Sequence, residues 1–505
     1  MAARGLHVRV DKCVVYVPNA GASTTVRRDY NIPDDLRVAT DGIVVLGAPL
    51  GSESFVKQFL DNAAATVQEL NNRVSELGSP QLVHTVLMTC SGALKINHLL
   101  RCVPPSATAA LCQAVNSCMD RQTLNLLALE DRASLTNIQW AQAHLPLSMS
   151  GMGLPIPSKT KDAAFLASVL SVSRVPELLQ GGCTVIHSSS VQPALQTYNT
   201  LVAPNDRLDF ATLEGMGKDE VSQKELSSKV FKNDYDNLLR SAGLAQEDWC
   251  RIKEQTRSGS SLWMVPSYVR GQLVIADECY PLLLRRHLGF QFFDDGIVTT
   301  CSRSDLPRAA QRQPCSEQQD PFLRHATEAC RSIFVQRHNS VATTVKSLCK
   351  MAGIDYMSEV ACIPGSNNVP ADIYISEGPN EVPLAVDVAV VSPLAHSRMG
   401  SPDAPVGSST AAQESVKIAR YKALFDQMHG RIQFSPFVIS TFGGMAQEAK
   451  AIMRFIAHRL SQRWVITFAS ATRIVYVRIL NALMHFIGLS LSHALQGHLT
   501  QHPLA

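Results

Sequence analysis

Apolar residues in the first third of the chain recur at two different periods. Residues 1–52 combine short β-branched runs with Gly and Pro, a pattern typical of strands and turns. From residue 53 to about residue 175, apolar positions such as Phe55, Phe59 and Ala63 recur every three or four residues and would lie on one face of a helix. We therefore expect strands and turns at the start, followed by a helical array.

Two short apolar runs late in the chain each contain one acidic residue. Residues 370–375 include Asp372, and residues 383–391 include Asp387. Both runs are rich in Val, Ile and Ala, and a Gly-Pro-Asn sequence lies between them, which predicts a β-hairpin. The hairpin would bring the two carboxylates to one edge of a sheet.

A carboxylate among apolar residues needs a partner, because an isolated ionised carboxyl group out of water is strongly destabilising. A divalent cation is one such partner, and paired carboxylates at a sheet edge are how a nuclease holds it. In the alternative interpretation, Asp372 is a turn residue and Asp387 caps a ladder or pairs with an arginine.

Residues 413–425 have helical character, and Lys417 and Tyr421 lie four residues apart, so that the two side chains project together. A cation and a phenol beside two carboxylates could orient a water molecule and a scissile phosphate around Mg²⁺. In the alternative interpretation, Lys417 lies on a solvated helix face.

A second candidate metal site consists of Cys301, Cys315, His325 and Cys330. Zinc needs four nitrogen or sulfur ligands that converge from short loops, and the last three residues have the spacing of a small zinc knuckle. In the alternative interpretation, these residues are ordinary thiols in a polar linker.

The second half of the chain resembles the restriction-like endonuclease domain of non-LTR retrotransposon polyproteins, a domain of the PD-(D/E)XK nuclease fold. The resemblance is carried, in chain order, by Arg337-His338-Asn339, Glu359, residues 370–372, residues 387–390, Lys417 and Tyr421, residues 434–438, and Gly443-Gly444.

The resemblance implies catalytic roles for five residues around Mg²⁺ or Mn²⁺. Asp372 and Asp387 would be the metal-binding acids, Lys417 the displaced basic residue, Tyr421 its companion, and Glu359 a less fixed acid. Because Ala389 stands two residues after Asp387, where the family has lysine, the basic role would fall to Lys417.

The resemblance also implies a Cys, Cys, His, Cys cluster just before residues 337–339. Because the first two cysteines of the family's cluster are usually close together, the long gap after Cys301 indicates either an inserted loop at residues 302–314 or the loss of a ligand. We assign nucleic-acid binding to those three residues, Arg337, His338 and Asn339, because basic groups concentrate around them.

The N-terminal third resembles another part of the same polyproteins. Residues 5–13 and 41–52 are similar to the segment that follows the catalytic palm of a reverse transcriptase and leads into the thumb. Residues 140–168, 263–266 and 286–289 contain matches to the connection that follows the thumb. No Tyr-Ala-Asp-Asp sequence occurs in the chain, so we expect that it does not polymerise by itself.

These observations predict an α+β multidomain chain: a helical thumb and connector, followed by an α/β restriction-endonuclease-like domain with a mixed sheet. The predicted domains are a remnant of the palm edge at 1–52, the thumb and connector at 53–204, a helical linker region at 205–300, a zinc knuckle with a basic loop at 301–336, and the endonuclease domain with C-terminal helices at 337–505.

Composition is compatible with this organisation. The 505 residues are 46% hydrophobic, which is enough for a large core. The net charge of +3 is small, so a nucleic-acid surface would depend on local basic clusters at residues 285–287, 308–312 and 331–338, which could equally be solvated linker.

The 13 cysteines are mostly isolated and no secretory signal precedes them, which predicts reduced thiols in the nucleus or cytoplasm. Residues 479–492 are too short and too polar to span a bilayer and predict a core or partner-facing helix.

The sequence therefore predicts a metal-dependent endonuclease that nicks target DNA to prime reverse transcription. Its expected cofactors are Mg²⁺ or Mn²⁺ and Zn²⁺, and its expected partners are target DNA and the element RNA, with no membrane and no small-molecule substrate. The first alternative is a relic that binds nucleic acid without cutting it. The second is a nuclease-like fold that serves only as a packing scaffold, in which Asp372 and Asp387 would point apart or pair with arginines.

Overall fold

The structure is a computed structural model, and most of the chain is described. The described residues are 12–18, 27–29, 31–172, 189–215, 222–265, 275–293, 299–301, 315, 317–360, 371–395, 398–399 and 404–501. Residues 5–11 and Pro370, which carry part of the resemblance, and the predicted loop at 302–314 lie outside this set.

Helices dominate the described residues, and strands form small sheets, so the chain is α+β as predicted. The helices are α1 (Glu53–Ser75), α2 (Pro80–Val86), α3 (Ala93–Cys102), α4 (Ala109–Leu126), α5 (Asn137–Ala143), α6 (Pro157–Val172), α7 (Val191–Leu201), α8 (Phe210–Gly215), α9 (Gln223–Leu239), α10 (Gln246–Gln255), α11 (Cys279–His287), α12 (Arg331–Ala352), α13 (Ser408–Asp426), α14 (Gln447–Trp464) and α15 (Phe468–Gln501). Short π-helical turns lie at Leu87–Ser91 and His325–Ala329, and 3₁₀ turns lie at Arg132–Ser134, Leu147–Met149, Pro204–Asp206, Leu262–Met264 and Pro379–Glu381.

The strands are short except in one sheet. They are β1 (Val14–Tyr16), β2 (Arg37–Ala39), β3 (Gly42–Val45), β4 (Ala48–Gly51), β5 (Thr299–Thr300), β6 (Gln318–Gln319), β7 (Tyr356–Val360), β8 (Ala371–Ile375), β9 (Leu384–Val391) and β10 (Gln433–Ser440). Strands β1 and β2 pair in parallel, whereas β3 and β4 form an antiparallel hairpin, as do β5 and β6 across a longer connection.

The chain divides into two compact units. The first unit comprises Met1–Glu76, Val86–Gln122 and Leu154–Asp234. Its helices between residues 53 and 172 confirm the predicted helical array. One apolar core in this unit gathers residues of α6, α7 and α9, including the fully buried Leu166, Tyr198 and Val230.

The second unit comprises Leu77–Thr85, Thr123–Gly153 and Tyr235–Ala505, and it contains a mixed four-stranded sheet. The strand order is β10-β9-β8-β7, in which β7, β8 and β9 form an antiparallel meander and β10 runs parallel to β9. Helix α13 makes the crossover between β9 and β10. The predicted hairpin is confirmed, because β8 and β9 pair at Ile373↔Val386 and at Ile375↔Leu384.

Strand β9 lies in the interior of this sheet and is buried over most of its length. Its near-continuous run of Ala and Val is typical of a strand whose two faces are both covered. Helix α12 packs against β7, β8 and β9, and α13 packs against β9 and β10. Asp387 is therefore an acidic residue in the middle of an apolar strand.

Helix α15 is longer than the apolar segment that the sequence predicted, because apolar residues continue back to Phe468. It is the one described helix whose length and composition would allow it to cross a membrane. Of its most apolar window, 72% is buried inside the protein, and α11, α12 and α14 pack against it. A mostly buried core helix can have the same length and apolar composition, so these two properties do not distinguish it from a membrane-spanning helix.

Candidate functional site

Asp372 lies where the pairing of β8 and β9 stops. The ladder between the two strands runs from Ile375↔Leu384 to Ile373↔Val386. One residue further along β8, the Asp372 Oδ2 atom accepts a hydrogen bond of 2.7 Å from the Val388 backbone N–H. The carboxylate thus satisfies a backbone donor of β9 that the ladder leaves unpaired, which fixes the side chain beside that strand.

Asp387 is 8% exposed, and Lys417 of α13 is its cationic partner. Lys417 Nζ donates to Asp387 Oδ2 at 2.7 Å, and the side chains of both residues are largely buried. Burial raises the pKa of Asp387 above its ordinary value, and the nearby Asp372 carboxylate raises it further, while Lys417 acts in the opposite direction. The two carboxylates are therefore close enough to interact.

His338 of α12 is the fourth member of the cluster. Its Nε2 atom lies 3.3 Å from Asp372 Oδ1. The hydrogen bond to Asp372 raises the pKa of His338, since it outweighs the effect of burial, and the charges of Asp372 and Asp387 add to it. Burial pushes the pKa of Asp372 upward, but the bonds from His338 and the Val388 N–H, with the charges of His338 and Lys417, bring it below its ordinary value.

These four residues, His338, Asp372, Asp387 and Lys417, form what we call the carboxylate site. Two carboxylates, one ammonium group and one imidazole from two strands and two helices meet in a partly buried place. The structure thus brings together the two predicted acids and the predicted lysine. His338 was predicted to contact nucleic acid, and its contact with Asp372 adds a titratable group to the site.

The other two predicted catalytic residues, Tyr421 and Glu359, are not members of the carboxylate site. The Tyr421 ring packs against Phe434, with ring centroids 5.1 Å apart, in an apolar cluster around Ala371, Ala385 and Phe425. Glu359 is exposed on the edge strand β7, where its backbone adopts a left-handed φ of 51°. Its neighbours Ser358 and Val360 pair with Ile373 and Ala371, so Glu359 lies beside Asp372 in the sheet.

Of the residues predicted to bind nucleic acid, Arg337 is buried and Asn339 is exposed on α12. Arg337 is only 2% exposed, donates to the Thr327 carbonyl at 2.7 Å, and has its pKa lowered to about 10 by burial. A guanidinium in this position suits packing and hydrogen bonding inside the unit rather than contact with a phosphate. Arg286 and His287, from another predicted basic cluster, are buried as well.

The Cys/His cluster, Cys301, Cys315, His325 and Cys330, comes together in space. One ligand atom from each residue lies within 4.8 Å of all the others. The Cys301 and Cys330 sulfur atoms are 3.9 Å apart, and Cys315 Sγ lies 3.3 Å from His325 Nε2. Bond lengths of about 2.3 Å to sulfur and about 2.0 Å to nitrogen in a tetrahedron require separations of about 3.5 to 3.8 Å. The set could therefore hold a metal ion such as zinc.

Local backbone structure holds these ligands in place. Cys301 follows β5, and its N–H donates to the Glu317 carbonyl at 2.9 Å, next to the β5–β6 pairing. The Asp320 carboxylate accepts from the backbone N–H of His325 at 3.1 Å. His325 opens the π-helical turn, and Cys330 closes it as the residue that precedes α12.

Sequence reasoning missed a buried polar network next to this turn. Glu328, in the π-helical turn, accepts from Arg286 Nη2 at 2.7 Å and from the hydroxyl of Ser392, just after β9. Arg337 joins the same turn to β9, because its second amino group lies 3.5 Å from the Val390 carbonyl. Arg286 and Ser392 each lie more than 40 residues from Glu328 along the chain, so no local pattern could have predicted this network.

No known family model matches the chain, and a search of curated proteins gives no match either.

The contact between His338 and Asp372 predicts a pH dependence of stability. The pKa of His338 is raised above 6.5 in the folded protein, so its stabilising effect is complete below pH 6.5 and is lost as the pH rises through the folded value. The pKa of Asp372 is lowered below 3.8, so its effect is lost only as the pH falls through that lower value. We expect the free energy of unfolding in urea to fall from pH 6.5 upward, and to fall less in His338→Gln.

His458→Gln is the matched control, because His458 is exposed on α14. It should keep the slope of the wild-type protein. An identical pH slope in the wild-type protein and in His338→Gln would show that the contact has no such effect.

Proposed function

We propose that the carboxylate site binds Mg²⁺ or Mn²⁺ and hydrolyses a phosphodiester bond of DNA, as part of an endonuclease of the retrotransposon type. The observation that carries this proposal is the convergence of Asp372 and Asp387, with Lys417 Nζ 2.7 Å from Asp387 Oδ2. The mixed sheet between helices, with the two acids on adjacent strands, agrees with the resemblance to the PD-(D/E)XK fold.

The donor set fits a hard cation. Two carboxylates on adjacent strands offer the oxygen ligands that Mg²⁺ prefers, and Mg²⁺ commonly binds through one or two carboxylates together with waters and substrate phosphates. Asp372 and Asp387 would hold the ion. When bound, it would supply Lewis acidity to the phosphate and lower the pKa of a water molecule.

Lys417 and His338 would then act on the substrate. Lys417 would move from Asp387 to a non-bridging phosphate oxygen, where its charge would stabilise the transition state. The neutral form of His338, held by Asp372, would take a proton from the attacking water. The new bond joins the water oxygen to phosphorus, the bond from phosphorus to O3′ breaks, and the leaving O3′ takes up a proton. The product is the 3′-hydroxyl group that priming of reverse transcription requires.

The competing function is nucleic-acid binding without cleavage. It is favoured by the same Lys417 contact, because the ammonium group already neutralises Asp387, and by Ala389 in place of the family's lysine. The two functions differ in whether the carboxylates are needed to cut DNA.

A plasmid-nicking assay with Mg²⁺ or Mn²⁺ separates them. We expect the wild-type protein to convert supercoiled plasmid to the open circle. Asp372→Asn and Asp387→Asn should each lower the nicking rate by about 10²-fold or more, because each variant loses a ligand of the metal ion whose charge stabilises the transition state. Lys417→Met should lower the rate by a similar factor.

Matched controls are available on the same elements. Asp355→Asn changes an exposed acid just before β7, and Lys422→Met changes an exposed lysine on α13. Both should keep the wild-type rate. Undiminished nicking by Asp387→Asn would eliminate the assigned site, and metal-independent binding without nicking by the wild-type protein would favour the non-catalytic function.

We propose further that the Cys/His cluster binds one Zn²⁺ ion with a structural role. Its support is that three sulfur atoms and one imidazole nitrogen lie within 4.8 Å of one another, with Cys301 and Cys330 buried. The ion would join the β5–β6 segment to the start of α12, the helix that carries His338.

The zinc proposal predicts about one bound equivalent per chain in protein purified without chelator, measured by elemental analysis. Cys330→Ser and His325→Asn should lower the zinc content and the thermal stability, because one of four ligands is lost. Cys102→Ser, at an exposed thiol of α3, is the control and should retain the ion. Full zinc content in Cys330→Ser would contradict the assignment.

A further inference from the structure

A groove of about 850 Å³ lies in the second unit, and none of the four residues of the carboxylate site lines it. Its walls come from four segments: the turn at 147–148, the loop at 256–265, α14 and the start of α15. Its volume is within the range of ligand sites, about 300 to 1,000 Å³. Several lining residues, including Ser258 and Phe468, are exposed, so the groove is open to solvent.

Three arginines line this groove, and only one of them has an ion-pair partner among the described residues. Arg257 is paired, since its Nη1 atom lies 2.6 Å from Glu254 Oε1. Arg454 of α14 and Arg473 of α15 are exposed, and no ion pair joins either of them to another described residue. They are therefore two cations available to a ligand.

A further positive charge, that of Lys450, lies close to Arg454. Lys450 precedes Arg454 by one turn of α14, and like charges four residues apart on a helix repel each other. Burial lowers the pKa of Lys450, and the charges of Arg257 and Arg454 lower it further, while Glu254 acts in the opposite direction. An anion in the groove would relieve this repulsion.

The groove also presents an aromatic surface. The Phe468 side chain is 47% exposed at the start of α15, although a ring of that size is usually buried. Tyr476, two turns further along α15, lies against the loop backbone at Gly259, where an added Cβ atom would come within 2.9 Å of its ring. An exposed ring beside unpaired arginines is the combination that binds unpaired bases and the phosphates between them.

We infer that this groove binds a single strand of nucleic acid, with phosphates at Arg454 and Arg473 and a base stacked on Phe468. A duplex does not offer this contact, because its bases are stacked on each other and their faces are not accessible. The open walls suit a strand that passes through rather than an enclosed mononucleotide. This binding does not depend on cleavage at the carboxylate site.

The test is fluorescence anisotropy with a labelled single-stranded DNA of about 15 nucleotides, near the upper end of the range for single-strand sites. The buffer contains no Mg²⁺, no Mn²⁺ and no chelator, which prevents cleavage and leaves bound Zn²⁺ in place, so failure of the nuclease proposal would not affect the result. We expect Arg454→Ala/Arg473→Ala to raise Kd about tenfold or more and to reduce the slope of log K against log salt by about 1.4, since two phosphate contacts are lost. Phe468→Ala should raise Kd about fivefold or more through lost stacking.

Arg431→Ala/Arg459→Ala is the matched control, because it removes the same charge from arginines that do not line the groove. It should change Kd less than twofold, roughly the effect of general electrostatics alone. Equal losses in the two double variants would overturn the inference. So would unchanged single-strand affinity in Phe468→Ala, or a duplex of the same length that competes as well as the single strand.

Discussion

The hydrogen bond from the Val388 N–H to Asp372 is the interaction on which the candidate site depends. It places the carboxylate of β8 beside β9 at the point where the two strands stop pairing. Asp387, on the same stretch of β9, is then brought close to a second negative charge in a buried place. Two carboxylates side by side, one buried and one partly buried, are unstable alone, and His338 and Lys417 compensate them from two different helices.

Hydrogen bonds connect the Cys/His cluster with β9, and α12 begins at the cluster. Both elements also carry residues of the carboxylate site. The π-helical turn between His325 and Cys330 contains Glu328 and Thr327, which accept hydrogen bonds from Arg286 and Arg337. Through Ser392 and Val390, the same network reaches the end of β9 beyond Asp387. Helix α12 begins at this turn and carries His338, so order at the cluster supports the position of a side chain in the carboxylate site.

The parts of the molecule that were predictable from sequence depend on local patterns. The hairpin of β8 and β9 followed from two apolar runs and a turn. The Cys/His cluster followed from the spacing of Cys315, His325 and Cys330 together with the family resemblance. The environments of Arg337 and Tyr421 were not predictable, because the sequence of an amphipathic helix does not show which basic or aromatic side chain is buried. The contact of His338 with Asp372 and the Glu328 network join distant segments, so tertiary packing alone determines them.

The central claim is that Asp372 and Asp387 together bind one hard divalent cation. Isothermal titration of Mn²⁺ into zinc-saturated protein tests it most directly, because saturation removes the Cys/His cluster as a competing site. The account predicts one Mn²⁺ site in the wild-type protein that is lost, or weakened by about tenfold or more, when either aspartate is replaced by asparagine. Equal Mn²⁺ affinity and stoichiometry in all three proteins would contradict it.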